Sequence, residues 1–141
     1  MSVKAIPYIM LDGNAKEAIQ FYEKALDAKL LFSQTMGEAP DQSENPIPAE
    51  ARERVAHAVL RVGETELYVA DVLPGEAVQS GNQLSVCLTM DDAEDSKRIY
   101  ELLQESGQVK VPLTKLYFSP AYAMVMDKFG VTFQIFTKRT S

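Results

Sequence analysis

Ile6-Pro7-Tyr8-Ile9-Met10-Leu11 leads into the turn Asp12-Gly13-Asn14 and a helical run containing Tyr22-Glu23, and this series recurs later in the chain. The second copy is Leu84-Ser85-Val86-Cys87-Leu88-Thr89-Met90, then Asp91-Asp92, then a helical run containing Tyr100-Glu101. The two Tyr-Glu pairs stand 78 residues apart. A repeat on this scale is weighed before any single motif. Each copy is an apolar strand, a turn, an amphipathic helix and then further strands. Used only twice, the unit is too small for a solenoid, but each copy has one apolar sheet face, and two such faces can curl around a shared cavity. The sequence thus predicts an α+β domain of two βαβββ modules, residues 1–75 and 82–141.

The pattern between the repeats fills in the strands. Asn14 is the expected cap of the first helix, with Glu17 three residues on as in a capping box. Ala18, Phe21, Tyr22, Ala25 and Leu26 follow helical spacing. A second strand is expected over Lys29–Met36, a third over Val55–Val62 and a fourth over Thr65–Val72, the last two joined by a tight turn at Gly63-Glu64. Gly37 to Arg54, with Pro40, Pro46 and Pro48, reads as an exposed loop. In the second half Asp91-Asp92 opens a helix with Ile99, Leu102, Leu103 and Ser106 on one face. Gly107 is expected to end that helix in the left-handed conformation. Strands are expected at Gln108–Val111, around Ala121–Met126, and at Thr132–Thr137, with Asp127-Lys128-Phe129-Gly130 turning between the last two.

Composition narrows the function classes. The 141 residues, 46% hydrophobic and 24% charged, suffice for a real core. A net charge of −6 disfavours nucleic acid and anionic membranes, which both require basic surface. The single cysteine, Cys87, rules out an internal disulfide and suits a reducing compartment. The opening Met-Ser-Val-Lys-Ala-Ile-Pro is not expected to act as a signal peptide, and no apolar run approaches the roughly 18 residues of a membrane span. A cytoplasmic protein without nucleic-acid or membrane partners is expected.

Few residues carry chemistry. His57 is the only histidine, so one chain cannot supply a His–His metal pair. It reads either as a packed strand residue or as a proton carrier and polar anchor, since histidines titrate near neutrality. Cys87, in Val86-Cys87-Leu88 without a basic neighbour, is expected in the core. Tyr8, Tyr68, Tyr117 and Tyr122 are aromatic strand residues suited to packing or to stacking on a ligand. Asp91-Asp92 matches a helix N-terminus. No Ser-His-Asp triad can be argued from the order of these residues, and there is no glycine-rich phosphate loop.

Several motifs together resemble one family. They are Pro7-Tyr8, Asp12-Gly13-Asn14-Ala15-Lys16-Glu17-Ala18 with Phe21-Tyr22, Met36-Gly37-Glu38, Ala56-His57-Ala58 and Asp127-Lys128-Phe129-Gly130-Val131. The chain resembles PhnB-like proteins of the vicinal-oxygen-chelate superfamily, alongside glyoxalase I, bleomycin-resistance proteins and extradiol dioxygenases. The resemblance spans nearly the whole chain. It implies paired βαβββ modules in a cup-shaped mixed sheet, the glyoxalase/bleomycin resistance fold, in a homodimer. In catalytic relatives a divalent metal sits on four ligands, usually His, Gln or Glu, from the first and fourth strands of each half. Carried over, those positions fall at Pro7 or Tyr8, near Ser85, at Glu66 or Tyr68, and at Gln134. Proline cannot coordinate, and neutral tyrosine and serine are poor ligands, so the metal frame reads as broken.

The expected function is therefore small-molecule binding without a cofactor, through Tyr8, His57, Tyr68, Tyr122 and Gln134. One alternative is a glyoxalase-like lyase or isomerase with a divalent metal on a shifted site of His57, Glu66 and Gln134. Another is an antibiotic-sequestering protein whose basic ligand suits the acidic chain. A methyltransferase activity, a label PhnB-like proteins have carried, is not expected, because no strand ends in a glycine-rich turn suited to an adenosyl cofactor.

Overall fold

A computed structural model describes residues 2–38 and 47–139. They form β1 (Tyr8–Leu11), α1 (Ala15–Ala25), β2 (Lys29–Thr35), β3 (Val55–Val62), β4 (Thr65–Asp71), β5 (Val86–Met90), α2 (Ala93–Leu103), β6 (Gln108–Leu116), β7 (Ser119–Met126) and β8 (Thr132–Thr137). Single 3₁₀ turns lie at Met36–Glu38 and Ala49–Ala51, within the expected loop, whose residues 39–46 lie outside the described set. The chain divides into two compact units, Met1–Gln79 and Ser80–Ser141. Among the described residues no helix is long and apolar enough to cross a membrane.

Both units have the same topology. The strand orders are β1-β4-β3-β2 and β5-β8-β7-β6, with the β1–β4 and β5–β8 pairs parallel and the rest antiparallel. Each parallel pair is bridged by a connection that includes the helix, which covers one sheet face. The expected α+β architecture of two βαβββ modules is therefore present, and α1 and α2 keep the 78-residue offset at both ends.

Burial follows the strand period of two. In the first unit Ile9, Leu11, Ala58, Leu60, Leu67 and Val69 are buried, with Ala15, Ala18, Ile19, Tyr22 and Ala25 of α1. In the second, Ala123, Val125, Phe133 and Ile135 are buried with Ile99 and Leu103 of α2. Each large apolar side chain removed from water in this way contributes roughly 1.5–3 kcal/mol.

The start of α1 departs from the sequence reading. Asn14 makes no side-chain capping bond. The carboxylate of Asp71, buried at the end of β4, replaces it: Oδ1 accepts from Gly13 N (2.8 Å) and Ala15 N (3.0 Å), and Oδ2 accepts from Val55 N (3.0 Å). A charged acceptor anchored in the sheet outcompetes the neutral local amide for these orphan donors. At α2 the expectation holds, since the Asp92 carboxylate accepts from Glu94 N at 2.9 Å. The place of Asp71 is taken there by Thr137. Its hydroxyl donates to Ala121 O (2.7 Å) and lies 2.6 Å from Ser96 Oγ.

Other boundaries shift for identifiable reasons. α2 stops at Leu103, so Ser106 leaves the buried face and itself takes the left-handed conformation, φ +58°. Gly107 is needed for a different reason: a Cβ there would collide with the Met126 carbonyl oxygen. β6 runs on through Pro112 to Leu116, which an edge strand tolerates because one side needs no N–H donors. The Asp127–Gly130 turn is held by Asp127 Oδ1, which accepts from Phe129 N and Val131 N, both at 3.0 Å.

Asp71→Ala would leave three backbone donors without their charged partner. It should lower the unfolding free energy by about 3 kcal/mol, with Asp71→Asn costing about half as much because it keeps one accepting oxygen. Urea denaturation monitored by circular dichroism reads this directly; a loss below about 1 kcal/mol for the alanine variant would contradict the three-way role.

Candidate functional site

The face of the first sheet opposite α1 carries a cluster of rings. Tyr8 pairs with Tyr68 across β1–β4, Tyr68 with Val59 across β3–β4, and Phe32 with Val59 across β2–β3. Strand alternation brings His57 to the same face. Tyr8 and Tyr68 meet edge-on at 5.5 Å, His57 and Tyr68 edge-on at 4.9 Å, and Phe32 lies 6.1 Å from His57. Tyr8 and Phe32 remain close to half exposed, at 46% and 48%. Edge-to-face pairs are favourable by about 0.5–1.5 kcal/mol each, so the rings hold one another while leaving surface open.

The polar heart of the cluster is the Tyr8 hydroxyl, 2.7 Å from His57 Nδ1. Partial burial, then the neighbouring Tyr68, raise the Tyr8 pKa above its ordinary value. The phenol is therefore protonated throughout the physiological range.

The corresponding face of the second sheet is more polar. Tyr122 donates to Gln134 Oε1 (2.6 Å), and Gln134 Nε2 donates to Ser85 Oγ (2.8 Å). Phe118 lies edge-on to Tyr122 at 5.3 Å and stacks on Phe136 at 5.8 Å. Cys87 pairs with Gln134 across β5–β8. Contrary to the core expectation Cys87 is exposed, because β5 is an edge strand and its odd-numbered residues point away from α2. Partial burial of its thiol still raises its pKa, and burial followed by Cys87 does the same for Tyr122. Tyr117 meets Phe118 edge-on at 5.0 Å at the rim of this second cluster, yet stands 85% exposed at the β6–β7 hairpin.

The ladders also correct the equivalence between halves. Leu11 pairs with Asp71 and Met90 with Thr137, so Tyr8 corresponds to Cys87 and not to Ser85. The strand-to-helix turn is one residue shorter in the second unit, which offsets strands and helices by one. The positions that the resemblance implies are then Tyr8, Glu66 or Tyr68, Cys87 and Gln134. These do not fit a divalent metal. A phenol and a thiol with raised pKa hold their protons, and the Gln134 amide is engaged at both ends. Nor does the first sheet bring His57 to Glu66. Arg61 faces Glu66, and His57 lies four residues further along β3, about 13 Å at strand rise. Among the described residues no three His, Cys, Asp or Glu side chains gather to hold a metal ion.

Two other features are structural. Glu38 in Met36-Gly37-Glu38 accepts from Thr35 N (2.9 Å) and Thr35 Oγ1 (2.8 Å), and the backbone bond chiefly lowers its pKa. A cavity of about 370 Å³ is lined by Gly13, Lys16, Glu17, Glu50, Glu53 and Arg54. Its cations are paired, Lys16 with Glu53 at 3.2 Å and Arg54 with Asp12 at 2.8 Å, and Asp71 occupies amides of the adjacent helix start. Sequence reasoning missed Phe32, because Lys29-Leu30-Leu31-Phe32 shows no alternation to assign it a face.

Fold and strand order thus define a two-module protein of the vicinal-oxygen-chelate type. Residues 3–136 match the family described as 3-demethylubiquinone-9 3-methyltransferase. Protein YjdN of Escherichia coli K12 is 30% identical over 139 residues, covering 92% of this chain and 91% of YjdN. The crystal structure of PA1353 from Pseudomonas aeruginosa matches with a TM-score of 0.86 and 27% identity, over 99% of this chain and 100% of that one. The PhnB protein of Bacillus cereus matches with a TM-score of 0.78 and 21% identity, over 96% and 99% of the two chains. The chain belongs to this PhnB-like family.

A raised thiol pKa means less thiolate at any given pH. Cys87 should be alkylated by iodoacetamide more slowly than a free thiol near pH 7, with the rate rising to its midpoint above the ordinary thiol range. A midpoint at or below that range would contradict the burial effect.

Proposed function

We propose that this protein binds a small planar aromatic molecule, without a divalent metal, on the ring-lined face formed by Tyr8, His57 and Tyr68. The observation that carries this reading is the mutual ring contact of these three side chains on an open sheet face, with a phenol hydrogen-bonded to the imidazole at its centre. Aromatic walls with a few fixed polar atoms are what small-molecule sites ordinarily present. Tyr122 and Gln134 contribute a second surface of the same kind in their own unit.

The family's description is consistent with this chemistry, since 3-demethylubiquinone carries a substituted aromatic-sized ring that such side chains suit. Methyl transfer is not part of the proposal. It needs a bound methyl donor, yet the starts of α1 and α2 are engaged by Asp71 and Asp92, and neither turn is glycine-rich. Self-association as a homodimer belongs to the reading too, supported by the exposed run Leu30-Leu31-Phe32 on edge strand β2.

Three measurements test the proposal. Elemental analysis of purified protein should find no stoichiometric metal, and chelators or added nickel, zinc or manganese should leave thermal stability unchanged. 4-Ethylphenol, titrated as a probe, should perturb the His57 ring signals, and Tyr68→Ala should weaken its binding roughly three- to tenfold. Light scattering should give about twice the 15.7 kDa chain mass. A tightly held metal, or no phenol binding, would overturn the corresponding part.

A further inference from the structure

Tyr8 and His57 share one hydrogen bond, and the surroundings decide which group donates. A phenol is the stronger donor and an imidazole nitrogen the stronger acceptor. If Nδ1 donated instead, the phenol proton would be left to solvent, because Tyr8 forms no other hydrogen bond among the described residues. The neighbouring Tyr68 presents itself edge-on, with ring planes at 88°. Burial and Tyr68 also keep the phenol protonated. With the phenol as donor, Nδ1 accepts and the neutral ring carries its proton on Nε2, since the bond made by one ring nitrogen sets the state of the other.

Nε2 has no hydrogen-bond partner among the described residues, which also include no buried side-chain nitrogen or oxygen lacking one. That nitrogen is therefore within reach of solvent. The ring cannot turn freely, because Tyr68 packs against it edge-on at 4.9 Å and Phe32 flanks it. The result is one ring nitrogen within reach of solvent beside half-exposed aromatic surface.

We infer that His57 determines specificity on this face: its Nε2–H selects aromatic ligands bearing an acceptor oxygen, such as a carbonyl, over ligands of the same shape without one. Tyr8 is the positioning residue that fixes the donor. The inference rests on the binding proposed above. It adds a direction to that binding, which burial and shape alone do not supply.

Because the chain has one histidine, its ring is observed without ambiguity in ¹⁵N-histidine-labelled full-length protein. At about pH 8, where histidine is ordinarily neutral, long-range ¹H–¹⁵N spectra should show the Nε2-protonated tautomer. Tyr8→Phe should relax it to a mixture, a change that simple loss of packing would not produce. Titration with acetophenone and ethylbenzene, which share the ring and a two-carbon side chain and carry no hydroxyl, isolates the carbonyl. The ketone should bind roughly tenfold more tightly, shifting the Nε2 resonance. His57→Phe should bring the ratio of affinities to about one, and Tyr8→Phe, at a half-exposed position, should narrow it.

Equal affinities for the two probes, with binding intact, would overturn this inference while leaving the aromatic site standing. So would an Nδ1-protonated tautomer in the unsubstituted protein. Failure of both probes to bind would overturn the site itself, and this inference with it.

Discussion

One carboxylate, that of Asp71, holds together three segments that the chain would otherwise bring together only through apolar packing. It lies buried at the end of β4 and accepts the backbone N–H groups of Gly13, Ala15 and Val55. The β1-to-α1 turn, the start of the helix and the start of β3 are fixed against one another at one point. A buried anion is costly unless its oxygens are bonded, and here both are. Arg54 braces the same region from outside, donating to Asp12 Oδ1 at 2.8 Å and to Val72 O at 2.9 Å. In the second unit the Asp92 carboxylate caps the helix, and neutral groups tie helix to sheet. Thr137, Ser96 and Ser119 share a hydroxyl network whose carbonyl acceptors are those of Asp92, Ala121 and Thr137. One topology has been closed by two chemistries.

What this closure holds in place is the opposite sheet face. With Leu67 and Val69 committed to the α1 side, Glu66 and Tyr68 must face away. The same alternation puts His57 beside Tyr68 and Tyr8 beside both. On the proposed reading, function depends on which residues occupy the face turned from the helix. The scaffold itself is indifferent to them, which explains how it accommodates unrelated activities. In this chain the positions that the superfamily resemblance assigns to metal ligands carry a phenol, a carboxylate or second phenol, a thiol and an amide.

Much of the architecture was legible because its causes are local. The repeated strand–turn–helix series, the alternation over Val55–Val62 and the glycine-centred turns all act within a few residues, and β3 and β8 fall where the pattern places them. The misses have distant causes. Asp71 caps a helix that begins 56 residues earlier, which no window around Asn14 reveals. Gly107 is required by the approach of Met126, nineteen positions on, and not by its own dihedral angles. Cys87 sits in an apolar run, but strand order made β5 an edge and left that side chain outside. The candidate residues were found individually, as histidine and tyrosines on strands. Their bonding, Tyr8 to His57 and Tyr122 to Gln134, emerged only from the register.

The turn that is one residue shorter in the second unit acts as a change of phase between helix and sheet. Counted from the helices, the counterpart of Tyr8 is Val86, which pairs with the buried Phe133 on the core side. Counted along the ladder it is Cys87, on the open side. Transplanting the ring cluster into the second unit by matching helices would thus drive a tyrosine into the core and leave the outer face unchanged. Internal symmetry in such a protein has two reading frames, and only the one set by the hydrogen-bond ladder keeps chemistry on the surface where a ligand can meet it.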